Sequence, residues 1–296
     1  MQEINKNAVP NLLVQNLPNR EYQKTKAISR SLISALKVSV ANFRRIRDQE
    51  GLFEGTSAMR RGSLVHALAL TPEILEKEFF IAPKIDRRTK EGKSYDVEKE
   101  KLLQGDRERV FEEELEEAYI IASSLAKDKN FSEIMKGEIH KEPSIFYNCP
   151  LTNVRCKTRP DIWDPKRKII CEVKTSNDFL NFSKSARAYD YHIQAAMQIE
   201  GIRIACNAEI DEFYFCVVST VAPYDVVTYK IDRETLDVGR SELQDALVII
   251  EATENESNLR KDLETVRELS FNSFQKISPF SHLLSAYHIS ENVLPF

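Results

Sequence analysis

The chain has 296 residues, with 42 Lys and Arg against 46 Asp and Glu, 42% hydrophobic residues, 8 Gly and 11 Pro. That balance belongs to an ordinary folded domain and excludes collagen-like, disordered and membrane-spanning chains, since no stretch approaches the roughly 20 apolar residues that a membrane helix needs. Cys149, Cys156, Cys171, Cys206 and Cys216 are odd in number and never spaced as CxxC, so reduced core thiols are expected in place of a disulfide framework or a metal cassette.

The opening MQEINKNAVPNLL lacks the apolar run of a signal peptide, which makes a cytoplasmic location the expectation. Residues 1–28 read as a tail. From Ser31 to about Gln49, Leu32, Leu36, Val40 and Phe43 recur at helical spacing and predict one amphipathic helix. A second helix is predicted over Ser57–Leu70. The segment FFIAPKIDRRTKEGKSY reads as a short strand followed by a polar loop, and a long helix is expected from Glu98 to Lys127 with Phe111, Leu115, Ala118 and Leu125 on its core face. The centre then changes character. PSIFYNC, NVRCKTR, KIICEVK, EFYFCVVS and DVVTYKI are rich in β-branched and aromatic residues, and they predict the strands of one sheet. A helical pattern between the third and fourth, SKSARAYDYHIQAAMQIEGI, makes that sheet mixed, with a helical crossover. A last helix is expected over Glu234–Glu254.

The expected architecture is therefore α/β, a mixed central sheet flanked by helices, behind an N-terminal helical region. No linker divides the middle of the chain. One domain is expected over 29–256, with a helical part at 29–137, a sheet core at 138–231 and a helix at 232–256, followed by a C-terminal tail at 257–296.

The net charge of −4 conceals blocks of opposite sign. Residues 1–60 hold ten bases and five acids, residues 84–93 five and two, and residues 155–188 nine and four, whereas residues 232–268 hold five bases and eleven acids. If the basic blocks share a face, a polyanion can bind despite the negative total.

The richest stretch is RCKTRPDIWDPKRKIICEVKTS. With a four-residue loop over Pro165–Lys168, Asp164 pairs with Ile169, and the same register sets Asp161 opposite Glu172. Side chains so placed have Cβ atoms about 4.5–5.5 Å apart, where like charges repel. Two carboxylates at that range need a cation, a shared proton or solvent. The period of two then puts Lys174 on the face of Glu172, with the other face apolar through Ile170 and Val173. Oxygen ligands without thiolate suit Mg2+ or Mn2+.

RPD followed by ExK at the end of an apolar strand resembles the motif of the PD-(D/E)xK nucleases. MRRGSLVHALALTPE, FFIAPKIDRRTKEGK, KEPSIFY, RCKTRPDIW, ICEVKTS and YDYHIQAAMQ, in that order over roughly residues 29–220, resemble the RecE-like exonucleases of prophages, relatives of lambda exonuclease and the RecB nuclease domain. The resemblance implies a metal-dependent 5′-to-3′ exonuclease on linear duplex DNA. It also implies a homo-oligomeric ring and a RecT-like single-strand annealing partner.

By position, the resemblance makes Asp161, Glu172, Lys174 and Gln194 catalytic. It makes His66, Glu142, Asp161, Glu172 and the carbonyl of Val173 ligands of two Mg2+ or Mn2+ ions, with Glu138 close enough to compete with Glu142 for that place. Tyr191 and Gln194 match a YxxQ helix beside the site. Arg87, Arg88, Lys90, Arg159, Lys184 and Tyr191 are the candidate DNA contacts. Two competing readings are a structure-specific or single-strand nuclease of the RecB-like kind and a non-catalytic DNA-binding scaffold in recombination.

Overall fold

The computed structural model describes residues 11–48, 56–82, 88–90, 101, 104–258, 261 and 279–289. In chain order the described elements begin with β1 (Leu12–Val14), α1 (Asn19–Lys24), α2 (Arg30–Val38), α3 (Val40–Asp48), α4 (Ser57–Leu70), α5 (Leu75–Glu78), β2 (Phe79–Ala82) and β3 (Glu108–Phe111). They continue with α6 (Glu112–Lys127), α7 (Lys129–Met135), β4 (His140–Lys141), β5 (Ser144–Asn148), β6 (Arg155–Thr158), β7 (Ile162–Asp164) and β8 (Ile169–Ser176). The remainder are α8 (Phe182–Ala188), α9 (Tyr191–Cys206), β9 (Glu212–Ser219), β10 (Val226–Lys230), α10 (Arg233–Ala252) and α11 (Ser281–Ala286).

The central sheet has the order β10-β9-β8-β7-β4. β8 and β9 are parallel and joined through α8 and α9, and the other pairs are antiparallel, so the sheet is mixed with a helical crossover, as the sequence predicts. One face carries Ile170, Phe213, Phe215 and Val217 against α9, α10, α2 and α3. The other carries Cys171, Val173, Cys216 and Val218 against α4 and α6. Ile170 thus shares the face of Glu172, two residues away, which corrects its expected place beside Val173; strand alternation leaves no other option.

The five expected strands do not form one sheet. β5 and β6 pair with each other and with β1 in a separate three-stranded sheet. The division has a local cause. β5 pairs with β6, and β4 with β7, in one unbroken register, so Glu142 lies across from Asp161 and Pro143 across from Pro160. Two facing prolines offer no N–H to the ladder and bend the ribbon there. Glu142 sits at the bend with φ 47°, and its N–H still reaches the Asp161 carbonyl at 3.0 Å.

Three helices differ from expectation. Ser39, with extended backbone, separates α2 from α3 where one helix was expected, and its hydroxyl accepts the Asn42 N–H at 3.0 Å. Residues 108–111 pair in parallel with β2, so α6 begins only at Glu112, and Phe111 lies in β3 instead of on a helical core face. The Phe111 N–H is bonded to the Glu114 carboxylate at 3.0 Å, which closes the first turn. The part of the expected helix at 98–100 and most of the polar loop after β2 lie outside the described residues. Asp190, at φ 58°, breaks the expected crossover helix into α8 and α9.

Neither end of the domain is a plain tail. β1 pairs with β5, and the buried Lys157 ammonium donates to the carbonyls of Tyr22, Gln23 and Thr25 at 2.7–3.0 Å. Phe280, Leu283 and Leu284 are buried in the larger core. α9 runs through the middle of the molecule with residues buried on every side. Gly239 of α10 permits the closest approach to it, because a Cβ there would lie 2.2 Å from the His192 carbonyl oxygen. All five cysteines are unbridged and four are buried, in keeping with core thiols. Among the described residues no helix is long and apolar enough to cross a membrane.

Candidate active site

The hairpin from β7 to β8 sets the site. Asp164 accepts the N–H groups of Lys166 and Arg167 at 2.9 Å each and the Arg167 guanidinium at 2.6 Å, and Lys168 turns the chain at φ 53°. This four-residue loop pairs Asp164 with Ile169 and therefore sets Asp161 across from Glu172, as predicted. With Glu142 across from Asp161 on the other side, three carboxylates stand in a row over three adjacent chains.

They do not simply repel. The Asp161 N–H donates to Glu172 Oε1 at 3.0 Å, and the Val173 N–H donates to Asp161 Oδ2 at 2.7 Å. Glu172, 1% exposed, also accepts Lys174 Nζ at 2.7 Å, Gln194 Nε2 at 2.5 Å and Gln198 Nε2 at 2.8 Å. Val173 thus lends its N–H to Asp161. Gln198 stands one helical turn after Gln194. The spacing of four residues was the signal, because it places both amides on the face of α9 that meets β8.

The other oxygen of Asp161 faces α4. Asp161 Oδ1 lies 3.3 Å from His66 Nδ1, and one ligand atom each from His66, Glu142 and Asp161 falls within 4.8 Å of the others. α4 is anchored for this purpose at both ends. Thr56 accepts the Met59 N–H at its start, and Lys141, next to Glu142, donates to the Leu70 carbonyl at its end with an Nζ–O distance of 2.7 Å. The Thr71 hydroxyl donates to Glu142 Oε2 at 3.4 Å. Glu138 is exposed and paired with Lys166 at 2.6 Å, away from this group.

The electrostatics are uneven. Burial would raise the Asp161 carboxyl, but His66, Lys174 and the Val173 N–H hold it below the usual range. Burial, then the charge of Asp161, push Glu172 and Glu142 up. Burial would lower His66 and Lys174, yet Asp161 lifts the imidazole, and Glu172 with Asp161 lifts the ammonium. One acid is firmly ionised, and two neighbours are strained in the ionised form.

These residues fit a hard divalent cation. Two carboxylates and an imidazole converge without any thiolate, and the buried Oε1 atoms of Gln194 and Gln198 find no donor among the described residues. A buried amide oxygen without a donor points to water or a ligand at that place.

The expected DNA contacts scatter. Lys184 is exposed on α8, and Tyr191 opens α9 with Lys174 Nζ 4.9 Å over its ring. Arg159 donates to the Ser144 hydroxyl and the Leu17 carbonyl at 3.0 Å each and lies 4.1 Å over the Tyr22 ring, where it ties down the N-terminal segment. Arg88 and Lys90 are exposed, and Arg87 lies outside the described residues.

This is the geometry of the PD-(D/E)xK nuclease superfamily, with its acid, second acid and lysine on one bent ribbon. Residues 29–265 match the model of the PDDEXK-like domain of unknown function (DUF3799), and the chain belongs to that family. Its fold is similar to the crystal structure of a protein from Eubacterium rectale described as a "putative exonuclease". That likeness has a TM-score of 0.54 at 15% identity and covers 91% of this chain and 97% of the other. No curated protein matches.

Proposed function

We propose that the protein is a divalent-metal-dependent deoxyribonuclease, an exonuclease that degrades linear duplex DNA from its 5′ ends in phage-type recombination and end resection. The observation that carries the reading is the convergence on Asp161: His66 and Glu142 meet one of its oxygens, while Glu172 and Lys174 lie on the other side. Mg2+ or Mn2+ bound there supplies charge stabilisation at the scissile phosphate and a water of lowered pKa. His66, Glu142 and Asp161 would hold one ion, and the resemblance to RecE-like enzymes supports a second, held by Asp161, Glu172 and the Val173 carbonyl. Lys174, clamped between Glu172 and the Tyr191 face, presents a fixed ammonium to the attacking water and to charge that grows on phosphate oxygens. Gln194, whose Nε2 is bonded to Glu172, keeps a buried amide oxygen without a donor that could accept from a water there. Lys184, Arg88 and Lys90 would set affinity through phosphates without reading bases.

The same resemblance supports a cytoplasmic, prophage-encoded setting, a homo-oligomeric ring and a RecT-like annealing partner. The test is digestion of linear duplex labelled at the 5′ or the 3′ end, beside a covalently closed circle, with Mg2+ or Mn2+. Loss of the 5′ label first, an intact circle and an inactive Lys174→Ala are expected. Wild-type turnover by Lys174→Ala refutes the assignment.

A further inference from the structure

We propose that Tyr189 is a stacking platform for an unpaired base of the strand being cut. The inference rests on the nuclease reading and deepens it by naming a residue that grips the substrate strand.

Tyr189 lies at the junction of α8 and α9, and it is 58% exposed. Its ring is 5.9 Å from that of Tyr191, whose face carries Lys174 Nζ at 4.9 Å. Tyr191 is itself backed by Phe182 at 5.7 Å and Phe215 at 5.8 Å, both nearly parallel to it. A file of rings therefore leads from the motif lysine through Tyr191 and ends in the exposed Tyr189. Lys184 and Arg187 are exposed on the preceding helix, where they can meet phosphates of the same strand.

The second observation is how firmly this exposed ring is mounted. The Tyr189 N–H donates to the Ser185 carbonyl at 2.9 Å, and the Tyr189 carbonyl accepts Arg30 Nη1 at 3.1 Å. The next residue, Asp190, is buried in the left-handed conformation, accepts the Ser34 hydroxyl at 2.6 Å and is bonded to the Lys37 ammonium. Lys37 also reaches Glu242 at 3.1 Å, and Glu242 is bonded to His192 Nε2 at 3.0 Å. No step of phosphodiester hydrolysis uses this buried network. What it does is hold the backbone rigid beside Tyr189, the most exposed aromatic side chain among the described residues.

A ring on a rigid mount loses little freedom when a flat partner stacks on it, so the contact is pre-organised. Nucleic-acid bases are such partners whatever their sequence. A base inside a duplex has both faces covered by its neighbours, whereas a base at a frayed end has a face to offer. The platform therefore takes a base that has come unpaired.

The test measures binding and cleavage together. Fluorescence anisotropy of a short 5′-labelled oligodeoxythymidylate in Ca2+ reads binding, and digestion in Mg2+ reads KM and kcat, for wild type, Tyr189→Ala and Tyr189→Phe. Tyr189→Ala is expected to weaken binding and raise KM by roughly 5- to 100-fold with kcat nearly unchanged, and Tyr189→Phe, which keeps the ring, to recover most of the loss. One abasic position in the oligonucleotide should cost wild type the same factor and Tyr189→Ala nothing further.

Equal Kd for wild type and Tyr189→Ala overturns the proposal. So do abasic losses that add to the mutation, or a defect that light scattering traces to dissociation of an oligomer. Wild type that cuts DNA while Tyr189→Ala keeps its KM defeats the platform alone. Wild type that binds through Tyr189 but cuts nothing defeats the nuclease reading alone.

Discussion

Replacing Lys174 by Met isolates the electrostatic imbalance at the site. Glu172 is 1% exposed and faces Asp161 across the ribbon, and Lys174 supplies the only full positive charge that touches it among the described residues. Removing one member of a buried ion pair costs about 3–5 kcal/mol, because the other charge stays buried without compensation. At about 2–4 °C per kcal/mol for a large domain, the metal-free variant should melt on the order of 10 °C below wild type. The pH dependence has a definite sign. Glu172 is already raised, first by burial and then by Asp161, and the loss of the ammonium raises it further. An acid with a raised folded pKa penalises the folded state while it is ionised, and the penalty disappears as pH falls through that pKa. The deficit relative to wild type in EDTA should thus be largest at neutral pH and shrink on acidification. Differential melting of the two proteins over a pH series, in EDTA and in Mg2+, reads this directly. If the two melt together at neutral pH in EDTA, or the deficit stays constant as pH falls, Glu172 is not the strained charge described above.

Other expectations follow from neighbouring residues. Glu142→Gln should leave the metal-free protein as stable as wild type or more so at neutral pH, since burial and Asp161 strain its ionised form, while calorimetry shows Mn2+ affinity falling by about tenfold or more, roughly 1.4 kcal/mol. His66 is raised by Asp161 against its burial, so its contribution to metal-free stability is present below the ordinary imidazole pKa and is lost as pH rises through the raised one. Subtracting the melting curves of His66→Gln from those of wild type should show that decline, while Mn2+ affinity of the wild type climbs over the same interval. Gly239→Ala puts a methyl 2.2 Å from the His192 carbonyl oxygen and should cost about 1–3 kcal/mol in urea unfolding.

Legibility in the sequence followed the range over which the determinants act. The Asp161–Glu172 pairing was readable because one short loop, DPKRK, enforces it, and every group that shapes the loop lies within a few residues. The choice between Glu142 and Glu138 was not, since it depends on the bend at Pro143 and Pro160, two prolines seventeen positions apart that face each other only once the ribbon has formed. The same bend split the expected single sheet. ERVF reads as helix in a glutamate-rich stretch, and only pairing with Phe79–Ala82 makes it a strand. The hold on Asp190 could not be read at all, because Lys37 reaches it from far earlier in the chain and is itself bonded to Glu242 from far later.

Two buried charge clusters flank α9, and they differ in one decisive respect. Around Asp190 the Lys37 ammonium is shared by two carboxylates, and His192 completes the group, so that cluster is close to balanced and suits a fixed mount. Around Asp161 three carboxylates meet one ammonium and one imidazole, and two of the acids are pushed toward their neutral forms. A folded chain gains nothing in stability from that second arrangement. It is relieved by added positive charge, and a divalent cation that also draws in a phosphate provides it where an extra lysine would block the cleft. Stability and affinity should consequently trade against each other at Glu142, which has no ammonium partner of its own in this group, and not at Asp190. Glu142→Gln should raise or preserve the metal-free melting temperature while it weakens stabilisation by Mn2+, whereas Asp190→Asn should lower the melting temperature equally with and without the ion.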